Sequence, residues 1–194
     1  MNNSFQLPQG ICAIKEASGL IFTPVAGYTI SPTIGEKWTH VVRAACTLED
    51  IEPIMSALVE VCLPKTCYAI LCGHWFEDRV DTFLSDFLMR SQIEDVFSTR
   101  LSVIIQDGMV GHGFACYDPD RYEEIFLDDH KELTLLTSVP EAVAEVFSKF
   151  GIPKNQELEF LSQHGHAHLN INGLSRQYCE EIIEELGMKS PLNA

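Results

Sequence analysis

A chain of 194 residues has the length of one domain with a substantial core, and 46% hydrophobic against 21% charged residues excludes a disordered acidic tail. Its formal charge of −15 opposes nucleic acid and anionic membranes over most of the surface, and the basic residues are scattered singly. Basic partners are the ones this sign of charge favours.

In chain order, Ile11–Lys15 and Leu20–Thr23 read as two short strands around Ser18 and Gly19. Residues 25–37 are rich in Gly, Pro, Ser and Thr and read as a loop, followed by a strand at Trp38–Cys46. Thr47, with Asp50 three residues on, starts a helix whose apolar stripe is Ile51, Ile54, Met55, Leu58 and Val61, and Pro64 stops it. Cys67–Cys72 is a continuous apolar run that suits a central strand. Val80, Phe83, Leu84, Phe87, Leu88, Ile93, Val96 and Phe97 predict a long helix from Asp78 to Ser98.

Next come a strand at Leu101–Gln106, a hairpin turn at Asp107–Gly108 and a returning strand at Val110–Tyr117. Glu124–Leu127 and Glu132–Thr137 pair around a turn at residues 128–131. Ser138, Pro140 and Glu141 open a helix that Gly151 closes. Leu158–Leu161 and Ala167–Ile171 are further strands, and Ser175–Leu186 is a last helix. Strands in hairpins with interspersed helices predict an α+β fold, a largely antiparallel sheet with helices packed on one face, and a single domain over residues 1–194.

The seven cysteines include no CxxC pair, so a zinc ribbon or a thioredoxin-type site is not expected, and reduced thiols in a cytoplasmic protein are. MNNSFQLPQG has neither a basic n-region nor an apolar h-region, so no secretion signal is read there. No apolar run approaches the ~20 residues of a membrane span.

Charge concentrates in residues 101–150, which sum to −7, nearly half the excess. Seven acids lie between Asp118 and Glu132 against Arg121 and Lys131 alone, with Tyr117, Tyr122, Phe126 and His130 interleaved. Aromatic anchors in a charged rim are what protein interfaces favour. Solubility alone also explains acids in turns. Asp128, Asp129 and His130 read as turn chemistry rather than an acid–base dyad. Gly111 and Gly113 mark a bulge or a close approach to the strand, not a phosphate cradle.

His164, His166 and His168 are the one cluster with metal-ligand character. On a strand they would share a face about 7 Å apart per step, with Glu159 or His112 as a fourth group. That supports an alternative, a metal-dependent hydrolytic enzyme using zinc or another divalent ion. No diagnostic hydrolase motif accompanies it.

The string IIQDGMVGHGFACYDPDRYEEIFLDDHKELTLLTS, with the helix, Gly151–Ile152 and histidine-rich strand that follow, resembles immunity proteins of bacterial polymorphic-toxin and contact-dependent-inhibition systems over residues 67–171. The resemblance is one of layout. It implies a cytoplasmic, non-enzymatic protein without a cofactor, monomeric or homodimeric, that binds and neutralises a basic toxin domain, often a nuclease. Asp118, Asp120, Glu123, Glu124, Asp128 and Asp129 are then the expected charged contacts, with Tyr122 and Phe126 as anchors.

Overall fold

The computed structural model describes residues 5–34, 36–76, 79–171 and 173–190. Eight strands form one antiparallel sheet. Its order runs from β2 (Gly27–Pro32) through β3 (His40–Ala45), β9 (Glu132–Thr137), β8 (Arg121–Leu127), β7 (Val110–Asp118) and β4 (Thr66–Phe76) to β5 (Arg79–Leu84). The short β6 (Leu88–Met89) also pairs with β4. A separate two-stranded ribbon joins β1 (Ile11–Ala13) to β10 (His166–His168).

The helices are α1 (Leu48–Cys62), α2 (Arg90–Ser98), α3 (Leu101–Gln106), α4 (Pro140–Lys149) and α5 (Leu174–Glu185). Strand alternation decides which side they cover. Tyr28, Val42, Ala44, Leu133, Leu135, Ile125, Leu127, Phe114 and Leu71 share one face and are buried in the main core. On that face Tyr28 stacks on Phe147 of α4, Phe97 of α2 meets Phe114, and Arg121 donates to the Cys62 carbonyl at the end of α1. This is the expected α+β layout with helices on one side. The opposite face carries no α-helix among the described residues, but at its β3–β9 end Leu158 and Phe160 pack on Ala45 and the 3₁₀ turn at Leu161–Gln163 sits on Glu132, which leaves the part over β8, β7 and β4 open.

Several elements differ from the sequence reading, each for a local reason. Residues 25–37 contain the edge strand β2; Pro32 is tolerated there because an edge strand need not donate every N–H. Residues 79–84 are strand rather than helix. Their apolar residues fit a 3.6 period by coincidence, but Val80, Thr82 and Leu84 also alternate, and the free side of β4 accepts them. The predicted helix start at Asp78 lies outside the described residues.

Leu101–Gln106 is helical, since a six-residue apolar run does not distinguish a buried helix turn from a strand. Asp107–Gly108 therefore links a helix to β7 and is not a hairpin turn. Leu20–Thr23 supplies only a single bridge, Ile21 to Lys15, because β1 pairs with β10 instead. Leu158–Leu161 is irregular and leads into a 3₁₀ turn at Leu161–Gln163. All seven cysteines are free, and five are buried. No helix of the described residues is long and apolar enough to cross a membrane.

Candidate functional site

The sheet face away from the α-helices is built by the other half of each strand's alternation, and it is open over β8, β7 and β4. Tyr117 and Tyr122 lie directly opposite each other on β7 and β8, with ring centroids 4.8 Å apart. Tyr68 of β4 continues the row at 5.8 Å from Tyr117, and Phe87 follows at 5.0 Å. On the other side Trp38 sits 5.0 Å from Tyr122. Five rings thus cross the sheet as a ladder from Phe87 to Trp38. Phe87 is exposed and the other four are half-buried.

Acids border this ladder. Glu124 accepts the Tyr117 hydroxyl at 2.6 Å, while Asp118 and Asp120 stand exposed at the β7–β8 turn. Burial, then the hydrogen bond to Glu124, raises the Tyr117 pKa, so the phenol stays a donor. Phe126 lies on the same face with its ring over β7. A Cβ at either Gly111 or Gly113 would come within 2.9 Å of that ring, so these glycines make room for it.

The eight residues predicted to contact a partner are therefore not one surface. Asp118, Asp120, Tyr122, Glu124 and Phe126 lie on the open face or at its turn. Glu123 faces the helices. It is 1% exposed and accepts the Ser138 N–H at 3.0 Å, which removes it from the partner-binding set. Burial raises its pKa. Asp128 caps its own turn by accepting the Glu132 N–H at 2.8 Å. Asp129 is engaged by histidines.

That histidine centre forms where the open face ends, and two of its members were not expected. Asp129 Oδ2 lies 2.7 Å from His74 Nε2, and Asp129 Oδ1 lies 3.0 Å from His130 Nδ1. His130 Nε2 faces His166 Nε2 at 3.1 Å. One ring nitrogen from each of His130, His166 and His168 falls within 4.8 Å of the others. Burial opposes charge on Asp129, but His130, with His168 and His74 behind it, holds its pKa below the usual carboxylate range. Asp128 and Asp129 push His130 up to about 10 against the pull of burial.

The fold brings these groups together through two fixtures. Glu132 of β9 accepts the Ser162 N–H at 2.9 Å and pairs with Arg43 at 2.9 Å, which anchors the segment leading into β10. The ribbon itself packs backbone to backbone on the α3–β7 link. Gly10 donates to the Gln106 carbonyl at 2.7 Å and presses against Gly108 so closely that a Cβ on either would overlap the other's backbone. Beside the centre, Lys131 takes a left-handed φ of 59° and buries its ammonium, 4% exposed, against the Val110 carbonyl. Burial pulls its pKa down to about 8.

His164 does not join the set expected from its spacing. Its ring stacks on Phe22 at 3.8 Å and its Nδ1 lies 2.9 Å from Glu16, so it faces the side of the ribbon away from the centre. Neither proposed fourth group is a ligand. Glu159 lies 3.7 Å from His164 instead, and His112 points into the helical layer beside Phe97. His130 and His74 enter in their place. His130 precedes His166 by 36 residues, and only the docking of the ribbon joins them.

No protein-family model matches this chain, and no curated protein or solved structure is significantly similar to it.

Proposed function

We propose that this chain is an acidic protein-binding module that docks a basic protein domain on the open face of its sheet. The observation that carries the reading is the ladder Phe87, Tyr68, Tyr117, Tyr122 and Trp38, bordered by Glu124, Asp118 and Asp120 on the part of the face that no helix covers among the described residues. Rings held by their neighbours lose little side-chain entropy on binding and supply large contact area. The surrounding negative charge, −15 over the chain, speeds encounter with a basic partner and disfavours acidic ones.

In its specific form the reading is a cytoplasmic immunity protein that neutralises a cognate basic toxin domain, in line with the layout over residues 67–171. Acids on a rigid sheet imitate the phosphates that a nuclease would grip.

The test reverses the two exposed turn acids. With the partner captured from lysate of the encoding organism, Asp118→Lys with Asp120→Lys should slow association about tenfold or more at low salt. Stability should move by no more than about 0.5 kcal/mol, as for other surface changes. An association rate and salt dependence equal to wild type would contradict the proposed face.

A further inference from the structure

We propose that His130, His166 and His168 bind one divalent transition-metal ion of the zinc type, which ties the β1–β10 ribbon to the turn between β8 and β9. This stands independently of the docking face.

The first argument is convergence. The three rings are set edge to face, at 71°, 84° and 60° with centroids 4.7, 4.7 and 5.1 Å apart. Between His130 and His166 the two Nε2 atoms face each other, which stacked rings would not allow. Nitrogens sharing a tetrahedral ion at ~2.0–2.1 Å stand roughly 3.3 Å apart. The His130–His166 pair is already at 3.1 Å, and side-chain rotation within the 4.8 Å set closes the rest.

The second argument is the outer shell. His166 Nδ1 donates to the His164 carbonyl at 2.7 Å, and His168 Nδ1 donates to the Gly108 carbonyl at 2.5 Å. His130 Nδ1 faces Asp129 at 3.0 Å and Asp128 at 3.4 Å. His166 and His168 therefore spend Nδ1 on a carbonyl, and His130 sets Nδ1 beside two carboxylates; His130 and His166 turn Nε2 to the centre, much as metal-binding histidines are oriented. The two Nε2 atoms share a proton carried by His130 or, once that proton is displaced, a metal ion set between the same two nitrogens. His74, 2.7 Å from Asp129, in turn holds the carboxylate that supports His130.

Donor chemistry sets the class of ion. Three imidazoles suit zinc, cobalt, nickel or copper, whereas magnesium and calcium need oxygen ligands. Three protein ligands leave a fourth position for solvent or a small ligand.

The experiment is calorimetric titration of chelator-treated protein with Zn²⁺, alongside the visible absorption of the Co²⁺ form. The expected result is one ion per chain. His130→Ala and His166→Gln should each weaken binding about 100-fold or more, whereas His164→Ala keeps wild-type affinity and the low-coordinate Co²⁺ spectrum. Circular dichroism of the metal-free variants confirms that they fold, and His166→Gln on the half-exposed ribbon covers the case in which His130→Ala does not. Absence of saturable binding in wild type would overturn the proposal and leave a proton as the bridge. So would undiminished affinity in the folded His130 or His166 variant, or equal loss in His164→Ala.

Discussion

Gly108→Ala is expected to lift the β1–β10 ribbon off the end of the sheet and to cost roughly 3 kcal/mol. The new Cβ would overlap the Gly10 carbonyl, and backbone cannot rotate away as a side chain can. The contact is also the one that aligns the strand pair, since Gly10 donates to Gln106 and accepts from Leu169, both at 2.7 Å. In a chain of this size the change corresponds to ~6–12 °C in melting temperature. Urea unfolding measures it, and limited proteolysis should show new cleavage in the ribbon under native conditions. Gly173→Ala is the control, because a Cβ there meets no atom within 4 Å and its φ of −58° suits any residue. Equal stability of the Gly108 and Gly173 variants would contradict the packing described.

His112→Phe should reshape the dependence of stability on pH. His112 is 1% exposed beside Phe97, and neither ring nitrogen has a hydrogen-bond partner among the described residues. Burial, with a smaller push from Lys131, lowers its pKa to about 3. The folded protein thus keeps this ring neutral where the unfolded chain, titrating near ~6.5, binds a proton. Its contribution is complete above that value and is lost as pH falls toward about 3, at about 1.4 kcal/mol per unit. At pH 4.5 the wild type should therefore carry a deficit of about 2–3 kcal/mol that the phenylalanine variant lacks. At pH 7.5 the variant should be more stable by about 1 kcal/mol, because two unpaired buried nitrogens are gone. Urea denaturation of both proteins at the two pH values checks this; parallel losses on acidification would contradict it.

The parts of the fold that were legible are those where local chemistry and tertiary demand agree. The α4 helix has proline in its first turn, an apolar stripe at helical spacing and a left-handed glycine after it, Gly151 at φ 71°. In the meander from β7 to β9, β8 alternates cleanly while β7 is buried over seven consecutive residues, and Asp118, Asp120, Asp128 and Asp129 mark the turns. Misreadings fell where one pattern serves two structures. Val80–Leu84 fits a helical period while forming an edge strand, and Leu101–Gln106 is apolar enough for either state.

The site was legible in pieces. Tyr122, Glu124 and Phe126 were assigned to a surface, but adjacency in sequence hid that Glu123 faces the opposite side of the sheet. Tyr68, Phe87 and Trp38 were missed as members of one ladder, because the row runs across strands and register alone aligns them. His130 looked like ordinary turn chemistry, and nothing local distinguishes it. Its partners arrive from a ribbon whose position depends on the Gly10–Gly108 contact and on the Glu132–Ser162 hydrogen bonds.

The central claim, that a basic protein docks on the open sheet face, is tested most directly by hydroxyl-radical footprinting of the complex against the free chain. Oxidation of Phe87, Tyr68, Tyr117, Tyr122 and Trp38 should fall together on binding, while exposed side chains of the helical layer such as Val61 stay as reactive as before. Unchanged oxidation of the five rings, with protection appearing over α1 or α5 instead, would place the partner on the other side of the molecule and contradict the account.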